Sequence, residues 1–243
     1  MTSPLRIFFS CLGLAYTLLV PELACAGSVN GVVDLVASRD SPARNHRDLS
    51  GVVIWLRPLD VDAVPLAPKR ARMVQKNKRF NPHVLTVETG AIVDFPNFDP
   101  IFHNAFSNFS GQLFDIGLYP PGSSRSIHFE RPGVVRVFCN IHPTMSALIV
   151  VLSSPYFTST NRNGDFTIPA VPPGSYELHV FYERSLPETL QKLTHSITVT
   201  ASPLEIPTLE ISEAGYLPMP HKNKYGHAYP PSADEQDSYS LPQ

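Results

Sequence analysis

The sequence is poor in cysteine and, after its first 26 residues, in long apolar runs. Of its three cysteines, Cys11 and Cys25 lie in that first segment, so Cys139 is the single thiol of the remaining chain. A single thiol has no partner for an intrachain disulfide, and we expect it to be either deeply buried or chemically active. Beyond residue 26 no stretch reaches the roughly 18 consecutive apolar residues that a membrane-spanning helix needs.

Charge is also sparse and balanced. Lysine and arginine number 19, aspartate and glutamate number 21, and the formal net charge is −2. Proteins that bind nucleic acid typically carry a block or stripe of basic residues, and this sequence has neither. Nucleic acid is therefore not an expected partner.

The first 26 residues have the pattern of a secretory signal peptide. Arg6 supplies a positive start, residues 7–20 are apolar, and an Ala-Cys-Ala tripeptide ending at residue 26 fits the small-x-small pattern before a cleavage site. We therefore predict that residues 1–26 are a signal peptide, that the mature chain starts at Gly27, and that the protein is periplasmic or secreted. The alternative is a lipid anchor on Cys25, although the three residues before it fit a lipid-attachment motif poorly.

In place of helices the chain has a series of short strand patterns. The clearest are Gly51–Leu56, Val84–Glu88, Ala91–Phe95, Val134–Phe138 and Ala147–Leu152. Several of these runs alternate apolar and polar residues, and all end at turn-forming residues. Closely spaced strands without intervening amphipathic helices predict an all-β protein built of antiparallel sandwiches.

One short stretch, Phe-Cys-Asn-Ile-His-Pro-Thr-Met at 138–145, concentrates three metal-ligating side chains. Two residues separate Cys139 from His142 and His142 from Met145, so one turn between two strands can bring all three around a single ion. Two imidazoles, one thiolate and a weak axial thioether are the ligands of a mononuclear electron-transfer copper site. Pro143 has a fixed φ and no N–H group, and we expect it to stiffen the loop.

The second imidazole has to come from another part of the chain. His103 is the candidate, because it follows the predicted strand Ala91–Phe95 and a turn-like segment at 96–100. A ligand from a distant strand would let the metal tie two sheets together. A weaker secondary copper candidate is the group Met219, His221 and His227 near the C-terminus.

These features together resemble the cupredoxin (blue copper) family over about residues 70–153. The residues that carry the resemblance are Phe80-Asn-Pro82, Val87, Gly90, Val93-Asp-Phe95, Asn97, Asp99, His103-Asn104, Cys139, His142 and Met145. Residues 139–145 are called the ligand loop, and the two residues that separate His142 from Met145 are similar to the spacing in amicyanins. The resemblance implies a Greek-key sandwich holding one type 1 copper that cycles between Cu(I) and Cu(II). It implies His103, Cys139 and His142 as strong ligands, Met145 as the axial ligand, and Asn104 in a hydrogen bond near the Cys139 loop.

A second β region follows the ligand loop. Asn163-Gly164 predicts a hairpin turn, and the residues from Asp165 to Tyr176 resemble the middle of a carboxypeptidase-regulatory-like (transthyretin-like) β-sandwich. Residues 154–212 are short for such a domain because they lack its opening strands.

The missing opening strands lie at the other end of the mature chain. We therefore expect residues 27–69 and 154–212 to form one discontinuous sandwich, with the cupredoxin region 70–153 inserted in one of its loops. The alternative is that residues 27–68 simply add strands to the cupredoxin. Residues 213–243 have few aliphatic side chains and are expected to be disordered or draped over the surface.

The whole chain resembles exported proteins described as methylamine-utilisation proteins. Four protein ligands leave no open position on a metal, and metal catalysis needs an exchangeable one, so we expect no enzyme activity.

The first hypothesis is a one-electron carrier that acts through the edge of His142, beside Ile141, Pro143 and Thr144. Its partner would be a transient redox protein such as a c-type cytochrome or a dehydrogenase. Two alternatives to the electron-carrier function stay open. One is copper storage or delivery to an exported enzyme, and the other is a structural or adhesive sandwich that a metal only stabilises.

Overall fold

The computed structural model describes residues 26–38, 48–60, 69–108, 111–217 and 221–229. Over these residues the chain is almost entirely β-structure, with eighteen strands and one helix of five residues. The predicted all-β class is confirmed. Among the described residues, no helix combines the length and the apolar character needed to cross a membrane. The predicted signal peptide, apart from its last residue, lies outside the described residues.

The middle of the chain forms the central sandwich, which carries the predicted ligands. Its strands are β3 (Arg70–Arg72), β4 (Val74–Lys76), β5 (Arg79–Asn81), β6 (Val84–Glu88), β7 (Ala91–Pro96), β8 (Phe106–Ser107), β9 (Phe114–Asp115), β10 (Ser124–Phe129), β11 (Gly133–Phe138) and β12 (Ser146–Leu152). One sheet has the order β10-β7-β3 and another the order β6-β12-β11-β8-β9, while β4 and β5 form a hairpin. All neighbours are antiparallel except the pairs β3–β7 and β6–β12.

Alternation along the strands produces the core of the central sandwich. In β7 the side chains of Ala91, Val93 and Phe95 are buried, while the residues between them are partly exposed. The same hydrophobic cluster contains Cys139 and Met145. Two of the predicted ligands therefore lie inside the apolar core rather than at the surface.

The two ends of the described chain form a second unit, the outer sandwich. Its elements are β1 (Gly27–Ala37), β2 (Val53–Pro58), β13 (Phe157–Ser159), β14 (Asp165–Val171), β15 (Gly174–Phe181), α1 (Pro187–Gln191), β16 (His195–Val199), β17 (Leu204–Glu205) and β18 (Leu209–Ser212). One sheet has the order β14-β1-β17, with β18 also paired to β1, and the other has the order β13-β2-β15-β16. A turn does form at Asn163-Gly164, and Gly164 has the positive φ of 90° that glycine adopts without strain. The predicted hairpin is wrong, because the flanking strands β13 and β14 belong to different sheets and pair with β2 and β1.

Strand β12 connects the two sandwiches because both of its faces are buried. Ala147, Ile149 and Val151 pack in the core of the central sandwich. Val150 and Leu152 point the other way and pack with Val53 of β2. The uninterrupted apolar run from residue 147 to 152 is typical of a strand covered on both sides.

Candidate metal centre

The ligand loop lies between β11 and β12 and is closed by its own backbone. Phe138 and Ser146 form the last pair of the β11–β12 ladder. Beyond that pair, the Cys139 amide donates to the Met145 carbonyl at 3.1 Å, and the Met145 amide donates to the His142 carbonyl at 3.1 Å. The loop is therefore a compact turn in which the three side chains predicted as ligands start close together.

His103 enters the same site from the segment that follows β7. Its amide donates to the Tyr119 carbonyl at 3.3 Å, and the Tyr119 amide donates to the His103 carbonyl at 2.9 Å. Upstream, the Asn97 side chain accepts a hydrogen bond from the Asp99 amide and donates one to the Ile101 carbonyl, which fixes the turn before the histidine. The His103 side chain is fully buried.

The structure brings His103, Cys139 and His142 together. Nδ1 of His103 lies 3.8 Å from Sγ of Cys139, and Nδ1 of His142 lies 3.6 Å from the same sulfur. The two imidazole rings are 4.8 Å apart and inclined by 56°, and the ligand atoms of all three residues lie within 4.8 Å of one another. Met145 is fully buried in the same hydrophobic cluster as Cys139.

The two sulfur–nitrogen distances fit ligands that share one ion. With a metal–sulfur bond of about 2.3 Å, a metal–nitrogen bond of about 2.0 Å and trigonal angles, the sulfur and each nitrogen lie about 3.7 Å apart. The two Sγ–Nδ1 distances of 3.6 and 3.8 Å lie on either side of that value. Two imidazoles and one thiolate are also the strong ligands that electron-transfer copper sites use.

Asp99 fixes the orientation and tautomer of the His103 ring. Nε2 of His103 lies 2.7 Å from Oδ2 of Asp99. An ionised carboxylate accepts a hydrogen bond from Nε2–H, so the neutral ring keeps its proton on Nε2 and presents the lone pair of Nδ1 toward Cys139. The same carboxylate also accepts hydrogen bonds from the Asn77 and Lys78 amides at 2.6 and 2.8 Å.

The buried Asp99 carboxyl is ionised at neutral pH. Burial alone would raise its pKa, but the hydrogen bonds from Lys78, His103 and Asn77 outweigh burial and lower the pKa below its ordinary value. The carboxylate is thus a permanent acceptor for His103. The sequence pattern included Asp99 only as part of the resemblance, and its role as the partner of His103 was not predicted. A carboxylate four residues before a ligand histidine was the available signal.

The candidate ligands Cys139 and His142 differ in whether they must lose a proton before they can bind a metal ion. Burial raises the pKa of the Cys139 thiol, despite opposing hydrogen bonds from nearby backbone amides. Burial and then the neighbouring His103 lower the pKa of His142, so that its ring is neutral at neutral pH. Metal binding at such a site requires loss of the thiol proton, and a bound cation supplies the charge that stabilises the thiolate.

A chain of amide and carboxylate groups supports the loop from the side. The Asn140 amide donates to Oδ1 of Asn104 at 2.6 Å, and Nδ2 of Asn104 lies 3.4 Å from Oδ1 of Asp115. Asn104, which was predicted to bond near the Cys139 loop, therefore joins the ligand loop to β9. Pro143 is exposed at the outside of the loop.

Large apolar side chains are exposed on the segments that carry the ligands. They are Phe98, Ile101, Phe102, Leu118 and Ile141, with exposed fractions from 37% to 61%. The first three belong to the turn before His103. Leu118 precedes Tyr119, which pairs with His103 through the backbone, and Ile141 precedes His142. We call this group the apolar rim. His142 itself is partly exposed.

Of the secondary copper candidate near the C-terminus, only His221 and His227 are among the described residues. The His221 ring stacks on Phe138 at 4.1 Å between ring centres, and His227 is exposed. Met219 lies outside the described residues. Within the described ranges, His103, Cys139 and His142 are the one group of three or more His, Cys, Asp or Glu side chains with ligand atoms this close together.

Comparison with protein families gives a partial match. The family described as polysaccharide lyase family 4, domain II, matches residues 152–203, which contain β13 to β16 and α1 of the outer sandwich. No curated protein matches the chain.

The similar solved structures include several copper proteins. A purple cupredoxin from Nitrosopumilus maritimus is 26% identical over 34% of this chain and 99% of its own, with a TM-score of 0.32. A copper-containing nitrite reductase from Thermus scotoductus SA-01 is 28% identical over 40% of this chain, with a TM-score of 0.34, and the match spans 25% of the reductase chain. A Cu(I) form of an amicyanin variant is 18% identical over 33% of this chain and 80% of its own, with a TM-score of 0.32.

Proposed function

We propose that this protein is an exported one-electron carrier whose central sandwich holds a single type 1 copper. The observation that supports this most strongly is the pair of Sγ–Nδ1 distances from Cys139 to two histidines, each near the spacing of ligands on a shared ion. The buried thioether of Met145 at the end of the same loop would complete the ligand set. Bound copper would supply the one-electron couple.

The residues around the ligands suit electron transfer because they resist movement. His103 is held by Asp99, and the Cys139–Met145 loop is closed by two backbone hydrogen bonds. Ligands that keep their positions in both oxidation states lower the cost of each transfer. Delivery of copper to another protein needs the opposite property, a loop that opens readily. The hydrogen bonding of the loop therefore favours the electron carrier over the delivery hypothesis.

The apolar rim is the proposed docking surface for a redox partner. Its side chains lie on the segments that carry His103 and His142, at the end of the sandwich where His142 reaches the surface. Redox encounters use small, transient interfaces, for which a few exposed apolar side chains are sufficient. A c-type cytochrome or a dehydrogenase of the same compartment is the proposed partner. The function is non-catalytic, and it agrees with the resemblance to methylamine-utilisation proteins.

We also propose that the central sandwich is an insertion in a carboxypeptidase-regulatory-like outer sandwich. Support comes from the register of β2 and β13, in which Trp55 lies opposite Phe157 and the Leu56 amide donates to the Tyr156 carbonyl at 2.9 Å. The chain therefore leaves after β2 and returns beside it, so that a short turn could connect the two antiparallel strands directly.

Copper titration of the metal-free full-length protein tests the proposed function. We expect one copper per chain, reversible oxidation and reduction, and slow loss of Cu(I) to the chelator bathocuproine disulfonate. Cys139→Ser is expected to abolish the thiolate site, while Ser107→Ala serves as a control at a buried polar residue of the neighbouring β8. Rapid and complete loss of Cu(I) would favour copper delivery instead. Absence of stoichiometric copper binding would refute both the electron-carrier and the delivery hypotheses.

A further inference from the structure

A segment from the far end of the chain lies directly against the ligand loop. Residues 221–229, which we call the strap, follow the outer sandwich in sequence but contact the central sandwich. Inside the strap, the Asn223 side chain accepts hydrogen bonds from the Tyr225 and His227 amides, both at 3.0 Å. The Asn223 amide donates to the His227 carbonyl at 2.9 Å. The strap is therefore a tight turn whose two arms lie side by side.

Phe138, the last residue of β11, and the two residues after it each contact a different strap residue. The His221 ring stacks on the ring of Phe138, with 4.1 Å between ring centres and an angle of 26°. The Tyr229 hydroxyl donates to the Cys139 carbonyl at 2.7 Å. The Lys224 amide donates to Oδ1 of Asn140 at 3.0 Å.

The strap also reaches the polar groups that support the loop from the side. Nζ of Lys224 lies 2.7 Å from Oδ2 of Asp115, and the other oxygen of this carboxylate lies near the Asn104 side chain. Asn104 in turn accepts from the Asn140 amide. Lys224 therefore contacts Asn140 through its backbone amide and Asp115 through its ammonium group, and Asn104 lies between these two residues.

The contact between Tyr229 and Cys139 lies where the sheet no longer restrains the backbone. Phe138 is the last β11 residue paired with β8 and with β12, so the Cys139 carbonyl falls beyond the ladder. The Tyr229 oxygen also lies 3.2 Å from Nδ1 of His221, which holds the phenol in place. The phenol is therefore oriented by one strap residue and restrains the backbone of the proposed thiolate ligand.

We propose that the strap is a structural part of the metal centre and that Tyr229 is a positioning residue for Cys139. Given the proposed function, the strap restrains the thiolate-bearing backbone, slows release of copper and limits access of reagents to the thiol. A hydroxyl that donates to the Cys139 carbonyl also withdraws negative charge from this ligand. It thereby favours the reduced, more electron-rich form of the centre.

The test compares Tyr229→Phe with wild type and with Tyr225→Phe in the full-length protein. Tyr225→Phe is the matched control, because it removes the same hydroxyl from an exposed strap residue and keeps the ring beneath Lys224. In the metal-free protein, the rate at which a maleimide alkylates Cys139 reports opening of the loop, since the thiol is fully buried. We expect Tyr229→Phe to raise this rate about fivefold, the effect of losing one hydrogen bond of ordinary net strength. The control is expected to leave the rate unchanged.

The copper-loaded protein supplies the second readout. Tyr229→Phe is expected to speed Cu(I) transfer to bathocuproine disulfonate and to lower the reduction potential, again without an effect of the control. Unchanged alkylation in metal-free Tyr229→Phe, with the thermal midpoint of wild type, would overturn the role of the strap and leave the copper proposal standing. If the protein bound no copper, the alkylation rates would still decide whether the strap restrains Cys139.

Discussion

Nε2 of His103 lies 2.7 Å from Oδ2 of Asp99, while Nδ1 of the same ring lies 3.8 Å from Sγ of Cys139. One imidazole thus connects an ionised carboxylate to the thiol of the candidate centre. The carboxylate determines which ring nitrogen carries the proton, and so which nitrogen is free to bind a metal.

Removing the charge of Asp99 is therefore expected to weaken copper binding. Asp99→Asn retains the size of the side chain but can present its amide N–H groups to His103, which disfavours the tautomer needed for binding. We expect affinity for copper to fall by about 10-fold to 100-fold, the usual effect of losing a ligand's hydrogen-bond partner. Competition with a chelator of known affinity measures the change.

Asp94→Asn is the matched control for this substitution. Asp94 lies on β7 in the same sandwich, but its carboxylate bonds to Arg70 and Ser126 on the surface of the sheet. Its loss should leave copper affinity unchanged. Equal effects of the two substitutions would contradict the role assigned to Asp99.

Replacing Met145 by leucine is expected to keep copper bound but raise the reduction potential. Leucine fills a similar volume in the core, so the free energy of unfolding should change by less than about 1.5 kcal/mol. The weak axial donor is lost, and the oxidised ion is the form that gains more from a donor. Voltammetry of wild type and Met145→Leu measures the shift. An unchanged potential would remove Met145 from the ligand set.

A pH-dependent contact joins the two sandwiches. Nε2 of His83 lies 2.6 Å from Oε2 of Glu183, and the hydrogen bond between them outweighs burial and raises the pKa of His83 above its ordinary value of 6.5. A raised pKa in the folded state means that the stabilisation is complete below about pH 6.5 and is lost as the pH rises through the raised value.

Urea unfolding at pH 6 and pH 9 tests this contact. We expect His83→Gln to destabilise the protein at pH 6 by less than about 1 kcal/mol, since the ring is half exposed, and to have a smaller effect at pH 9. His195→Gln is the control, because His195 is exposed on β16 and its ring contacts a backbone carbonyl, that of Leu193, instead of a carboxylate. A destabilisation by His83→Gln that is equal at both pH values would show that the ion pair adds nothing.

Deletion of residues 70–153, with the gap closed by a short turn, tests the proposed insertion. We expect the remaining outer sandwich to fold, because β2 and β13 are already neighbours and its core cluster contains no residue of the deleted segment. Val53→Thr should accompany the deletion, since Val53 packs against Val150 and Leu152 in the full chain. Near-ultraviolet circular dichroism reports the packing, and an insoluble or unpacked product would argue against the insertion.

The strands could be predicted from sequence because local alternation determines them. Val84–Glu88 has the same bounds in the structure, and Ala91–Phe95 is longer by one residue. The ligand loop was also predictable, because Cys139, His142 and Met145 are neighbours in sequence. The one helix among the described residues, α1, ends at Gln191, and the Leu193 and Thr194 amides then bond to carbonyls three residues back.

The contacts that the sequence did not indicate are long-range and polar. Tyr229 and Cys139 are 90 positions apart and meet through a hydroxyl and a backbone carbonyl, for which no periodic pattern exists. The strap has few aliphatic residues, and such composition predicts only weak packing. Asp99 was visible in the sequence, but its bond to His103 depends on how the turn at Asn97 folds.

The visible absorption and paramagnetic-resonance spectra of the oxidised, copper-loaded protein test the central claim most directly. If Cys139 binds copper together with His103 and His142, the protein will absorb intensely in the visible range through thiolate-to-copper charge transfer, and Cys139→Ser will remove this band while the sandwich stays folded. Stoichiometric copper without the band, with the resonance spectrum of a site ligated by nitrogen and oxygen only, would contradict the account.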